Sequence, residues 1–252
     1  MTNKLRFFFY QNSYKISFYL FLTFFLLQIT FWLKNENIKP NYKIIPAPPS
    51  QYFLKAASLG DNEFLFRILA FRIQNSGDIF ISPAPLKNYN YNDLYQWLTL
   101  LDNLNSKSNS MASLAAYYFS QTQNKGDLIY ITNYLYEHAI KDLNSNWWWL
   151  FQAINIAEED LKNDELALKL AYKLTEVNSS KAPLWTKQMP AFIYAKQGNG
   201  CMAFKIIKKI LDENNAGIRQ ISANEMDFMR YFIKERIKKI ENKKFDPRQC
   251  QN

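Results

Sequence analysis

Few residues in this 252-residue chain can carry acid–base, nucleophilic or metal chemistry. His138 is the sole histidine, so any Ser/His/Asp or Cys/His arrangement would have to use it. Cys201 and Cys250 have no metal-ligand spacing, and two cysteines make no disulfide framework. A bond between them in an oxidising compartment and a pair of free thiols both remain open. A metal site with three protein ligands would have to be built mostly from carboxylates, which disfavours zinc. Glu158, Glu159 and Asp160 supply adjacent carboxylates in a helical stretch. Neighbours in a helical sequence do not face one another, so a solvated surface is expected there rather than an acid–base pair. The chain contains no G-x-x-x-x-G-K-[ST], no G-x-G-x-x-G, no H-E-x-x-H and no G-x-S-x-G. No catalytic residue, cofactor or metal is therefore expected, and the expected activity class is interaction rather than catalysis.

The elements that carry these residues are expected to be long helices. Six glycines and nine prolines are few, which argues against a many-stranded sandwich with a turn roughly every 8–12 residues. The net charge of +9 would suggest nucleic acid if it were focused on one surface. Its densest part, from Lys205 to Arg248, is interrupted by Asp212, Glu213, Glu225, Asp227, Glu235, Glu241 and Asp246. Mixed signs of this kind read as a solvated helix face, and no nucleic acid is expected.

Between Lys15 and Lys34 lie 18 uncharged residues, ISFYLFLTFFLLQITFWL. As a helix they span roughly 27 Å, close to a hydrocarbon core of about 30 Å. Tyr14, Tyr19 and Trp32 stand near the two ends, where interfacial aromatics belong. A cleaved signal would need small residues at its end, but the segment closes on Trp32-Leu33-Lys34-Asn35-Glu36. A soluble core helix would not be apolar on every side. Ile16–Leu33 is therefore expected to be an uncleaved transmembrane anchor behind a short tail, 1–15. Lysines and arginines balance across it: Lys4, Arg6 and Lys15 before, Lys34, Lys39 and Lys43 after. Orientation thus rests on the habit of first helices with a long domain behind them, which places the N-terminus in the cytoplasm and the remainder outside.

Residues 34–50 hold four prolines in a polar stretch and are expected to form a semi-rigid spacer. Segment 51–108 reads as helical. Phe53, Ala56 and Ala57 share one face, Asp61 is an N-cap, and Phe64, Ile68 and Phe71 form the next apolar stripe, widened by Leu65 and Leu69. Residues 79–90 read as a loop. Tyr91–Leu104 reads as a helix capped by Asn92 or Asp93, with Leu94, Trp97, Leu98, Leu101 and Leu104 inward.

From 109 to 215 the chain repeats. A shift of 36 residues places Trp149 on Trp185, Gln152 on Gln188, Ile156 on Phe192, Ala167 on Ala203, Ala171 on Ile207 and Leu174 on Ile210. A weaker third copy places Ile131 on Ala167, and His138 falls on the apolar slot of Leu174 and Ile210, so a packed structural histidine is expected. Within this stretch, Ala191, Tyr194, Gly198, Ala203, Ile207 and Ile210 stand at the spacing of a small residue and Tyr on a first helix, a turn glycine, and small then large residues on a second. The run resembles a tetratricopeptide repeat. It departs from that pattern at Asn155 and Glu158 in the preceding copy, in a period of 36 rather than about 34, and at Pro190, which should kink its helix.

The resemblance implies an all-α fold, with the N-terminal transmembrane helix followed by a tetratricopeptide-like α-solenoid of antiparallel helix pairs. It also implies a protein-binding groove lined by first-helix positions: Trp149, Gln152, Ile156 and Glu159 in one copy, Trp185, Gln188, Phe192 and Ala195 in the next. An aromatic anchor beside an amide suits a peptide partner. Residues 216–252 would close the stack with an amphipathic helix, Ala223–Asn242, and a basic tail. The expected function is a membrane-anchored adaptor for a protein partner within an envelope assembly. The rivals are a structural subunit acting through its anchor and a membrane-bound enzyme using Glu158 and Glu159.

Overall fold

Thirty-three residues at the start of the chain form one helix, α1 (Asn3–Asn35), in the computed structural model, which describes residues 3–35, 43–79, 82–218, 220–237 and 250. Its stretch Tyr14–Lys34 is long and apolar enough to cross a membrane, and none of it is buried in protein. The hydroxyls of Thr23 and Thr30 donate to Tyr19 O and Leu27 O at 2.8 Å, so these polar interruptions are satisfied within the helix, as a hydrocarbon setting demands. Residues 3–15, expected as a tail, continue the same helix.

The chain divides into two units, Met1–Lys43 and Ile44–Asn252. The second contains α2 (Gln51–Ala57), α3 (Asn62–Gln74), a two-residue antiparallel pair β1 (Asp78–Ile79) and β2 (Ser82–Pro83), then α4 (Tyr91–Leu104) and α5 (Ser110–Tyr117). There follow α6 (Leu128–Lys141), α7 (Leu143–Asn155), α8 (Asp164–Leu174), α9 (Trp185–Lys196), α10 (Gly200–Asn215) and α11 (Ala223–Tyr231). From α6 to α10 each helix packs on the one before it and the one after it. The expected spacer is corrected at its far end. Residues 36–42 lie outside the described residues, but Ile45 is buried and Trp97 Nε1 donates to Pro46 O at 2.7 Å, so 44–46 belong to the helical unit.

Helix ends follow their side chains. Asp61, Asn163 and Asn199 each accept the N–H of the third residue on, at Phe64, Leu166 and Met202. Helix α4 has the expected bounds, but its cap is Asn90, two residues before Asn92 and three before Asp93. The loop expected at 79–90 contains the end of the β pair and a tight turn, Leu86–Asn88, with Tyr89 buried after it. Pro190 sits inside α9 as its sixth residue. The first four N–H groups of a helix have no intrahelical partner, and Pro190 lies just beyond them, so its missing N–H removes one i→i−4 bond, the one to Thr186 O.

Three helix starts keep the 36-residue step. Helices α6, α8 and α10 start at Leu128, Asp164 and Gly200, each 36 residues after the last. Ile131, Ala167 and Ala203 are buried at the same step, as are Ala171 with Ile207 and Leu174 with Ile210. The turn before α8 and α10 also repeats: Lys162 (φ 52°) and Gly198 (φ 79°) hold the left-handed position in each. That conformation costs a side chain about 1–2 kcal/mol and glycine almost nothing. We expect Gly198→Ala to lose about 1 kcal/mol and Lys162→Gly to gain up to about 1 kcal/mol, read from urea midpoints. The exposed Lys162–Glu159 pair at 3.6 Å is worth too little to reverse that sign.

Two buried clusters result. The larger joins Ile45 and α3 through α9; the smaller joins Ala191, Ala195, Ala203, Phe204, Ile207, Ile210, Met229, Phe232 and Cys250. The closing helix is α11, opened by a Ser222–Glu225 capping box and continued by a π turn, Phe232–Ile237. The remainder of the expected 223–242 helix lies outside the described residues.

Candidate functional site

The first-helix positions expected to line a groove divide. Trp149, Ile156, Gln188 and Ala195 are buried, Gln152, Trp185 and Phe192 are half-buried, and Glu159 is exposed. Trp149, only 9% exposed, donates from Nε1 to Asn109 Oδ1 at 2.8 Å and lies edge-on to Tyr117. Helix α5 packs on α7 and covers the side of α7 that a first helix would leave open, which corrects Trp149 from groove to core. Gln188 is buried without a hydrogen-bond partner for Oε1 among the described residues. Phe192 faces Phe232 at 5.2 Å and Phe228 at 6.1 Å, so the closing helix covers it.

What the structure brings together instead is an aromatic ledge across α5, α7 and α9. Trp185 packs on Phe151 (4.7 Å between centroids) and on Trp147 (5.7 Å). Trp148 packs on Trp147 (5.7 Å) and Phe151 (5.4 Å), and its Nε1 donates to Tyr117 OH at 2.8 Å. Trp148 and Tyr117 are 39% and 52% exposed, so the outer edge faces water. Three consecutive tryptophans point about 100° apart around a helix, so they cannot all be core. The sequence offered that signal, but not which of the three turns outward.

A second group was missed altogether. His138 is fully buried, its Nδ1 2.6 Å from Asp102 Oδ1 and its Nε2 3.1 Å from Asn109 Oδ1. Lys141 Nζ reaches Asp102 Oδ2 at 2.6 Å. Asn109 Oδ1 also accepts from Trp149, and an indole nitrogen only donates, so that atom is the amide oxygen. Each histidine nitrogen thus has an oxygen beside it, a carboxylate at Nδ1 and an amide at Nε2. The expectation of a packed histidine holds, but its slot is polar. The network bolts α4, the start of α5, α6 and α7 together, and no part of the ring reaches solvent. The signal was present: Asp102 continues the Leu94–Leu98–Leu101 stripe of α4, and His138 the Ile131–Leu135 stripe of α6. A polar residue on each of two buried stripes calls for a partner.

The carboxylates of the rival enzyme reading sit on a π turn, Ile156–Asp160. Lys196 bridges Glu158 at 2.9 Å and Glu159 at 2.7 Å, and Lys125 pairs with Asp160 at 2.7 Å. The Lys196 hydrogen bond holds the Glu159 carboxyl below its ordinary range, and Glu159 in turn holds the ammonium up. A carboxyl held low stays ionised at neutral pH and makes a poor proton donor. The arrangement ties the end of α7 to the end of α9. Among the described residues no group of three or more His, Cys, Asp or Glu could hold a metal ion.

No family model matches the chain, and no curated protein or solved structure matches it either.

Proposed function

We propose that this protein is a single-pass membrane protein that displays a tetratricopeptide-like helical stack as an adaptor for a protein partner, within an envelope assembly. The observation that carries it is the ledge of Tyr117, Trp147, Trp148, Phe151 and Trp185. It replaces the Trp149–Gln152–Ile156 and Trp185–Gln188–Phe192 groove as the docking surface. Large aromatics with one edge exposed and a polar handle are what binding hot spots are made of. The 36-residue step of α6, α8 and α10 supports the repeat architecture. The N-terminus is assigned to the cytoplasm and the helical unit to the outer side. The Cys201–Cys250 disulfide supports that side, because such bonds persist in oxidising compartments.

A photoreactive residue in place of Trp148, in the full chain in its native membrane, tests the reading. A discrete protein adduct is expected. In otherwise native protein, Trp148→Ala or Tyr117→Ala should weaken binding of that partner by at least about 2 kcal/mol, roughly 30-fold in affinity. The structural-subunit reading wins if exchanging residues 16–33 for an unrelated membrane helix abolishes the association while both alanine variants leave it intact.

A further inference from the structure

Helix α3 has two apolar faces, and only one of them is covered. Phe66, Ala70 and Ile73 are buried against the core. Phe64, Ile68 and Phe71, spaced four and three residues apart, form the opposite face and lie open to solvent, Phe71 at 68%. Around the helix Arg67 and Arg72 border this open face on its two sides, and both are exposed. The preceding elements add to it. Tyr52 and Phe53 project from α2 while Leu54 packs inward, and Leu59, 93% exposed, is held in a left-handed turn at φ 47°. Six large apolar side chains are thus exposed within 20 residues. No comparable concentration occurs elsewhere among the described residues of the helical unit.

We infer that this face is a second membrane contact, with α3 lying in the headgroup region of a bilayer and Phe64, Ile68 and Phe71 pointing into it. The inference rests on the reading of α1 as a membrane helix. Three observations favour lipid over a protein occupant. The first is reach. Eight peptide steps join Asn35 to Lys43, so covalent geometry keeps these residues within about 29 Å of each other. The second is attachment. Ile45 and the Pro46–Trp97 hydrogen bond fix the incoming chain to the same buried cluster that backs α3. The third is the shape of the face: an apolar arc bordered by arginines, preceded by an exposed tyrosine, suits an interface with anionic headgroups. A leucine at a turn tip adds a short apolar wedge. The helix would lie flat, because 13 residues cannot span a bilayer and its other face is committed to the core.

The test uses the full chain reconstituted in vesicles of phosphatidylcholine and phosphatidylglycerol. The native cysteines are bonded to each other, so a single introduced cysteine takes an environment-sensitive thiol probe under non-reducing conditions. Ile68→Cys and Phe71→Cys report the face, Phe24→Cys reports α1, and exposed Asn133→Cys on α6 is the aqueous reference. We expect probes at 68 and 71 to lose emission to a lipid spin label carried near the headgroup and to be shielded from aqueous iodide. The probe at 24 should be quenched most by a label near the chain end, and the probe at 133 by iodide alone. Iodide quenching at 68 and 71 matching that at 133, with 24 quenched from the lipid, overturns this inference and leaves the anchor standing. Shielding from iodide without lipid quenching also overturns it, and assigns the face to a protein or a second copy. Loss of lipid quenching at 24 removes the anchor. In that case lipid quenching retained at 68 and 71 still establishes the contact, and its absence overturns both.

Discussion

Replacing Asp102 by asparagine is expected to destabilise the helical unit by about 1–3 kcal/mol, the cost of leaving a buried hydrogen-bonding group without its partner. The carboxylate is 2% exposed and is shared by His138 Nδ1 at 2.6 Å and Lys141 Nζ at 2.6 Å. An amide of the same shape keeps the volume but takes the counter-charge from Lys141 and can turn only one acceptor oxygen to the two nitrogens. Lys141 is a third exposed and can turn into water, so little of the loss arises there. His138 has no such escape. Its ring is fully buried, bounded by Asp102, Asn109 and the ring of Tyr134, whose own hydroxyl is pushed up by burial. The companion variant separates lost charge from lost shape. Asp102→Leu with His138→Leu removes both polar partners and should recover most of the stability, since replacing both partners of a buried hydrogen bond by apolar groups can be nearly neutral. Urea unfolding of the two proteins, followed by circular dichroism, measures both. A loss below about 1 kcal/mol for Asp102→Asn would mean the network is solvated and the packing argument is wrong.

The 36-residue spacing matches burial on α8 and α10 and departs from it on α7 and α9. Ala167, Ala171, Leu174 and the residues 36 positions on are all buried. α7 and α9 each pack against the helix before and the helix after, but α7 is also covered by α5, while Phe192 on α9 is closed off by the last elements. Trp149 and Trp185 therefore align in sequence while one is core and the other lies on the ledge. On α3 periodicity marks Phe64, Ile68 and Phe71 as an apolar stripe, but it is Phe66, Ala70 and Ile73 that protein covers. Both sets satisfy the same spacing, and spacing alone cannot say which set meets the rest of the chain. In α2 likewise, the shared face of Phe53, Ala56 and Ala57 is exposed and Leu54 is buried. Amino-acid type marks an apolar face; only the tertiary neighbours decide whether protein covers it.

Breaking the Cys201–Cys250 bond should loosen one end of the unit selectively. The sequence left pairing open; in the structure the two sulfurs are bonded, with Cα atoms 5.2 Å apart and a sequence separation of 49. A loop of this length removes enough chain entropy from the unfolded state to stabilise by about 4 kcal/mol on the entropic account. The closed loop holds nearly all of α10, all of α11 and the π turn behind it. The cluster these elements share is small, with three alanines among its nine buried apolar residues and Cys250 itself as a member. Little else offsets the entropy of ordering them. A Cys201→Ser, Cys250→Ser double variant is therefore expected to lose roughly 2–5 kcal/mol. The loss should appear first as faster hydrogen exchange in α10 and α11. Amides of α4 and α6 should keep their protection, because the larger cluster that buries Leu94, Leu98, Ile131 and Leu135 does not depend on the bond. A uniform loss across both clusters would show that the end helices brace the whole unit. Unchanged protection in α10 and α11 would show that the bond adds nothing to the packing of Phe204, Ile207 and Phe232.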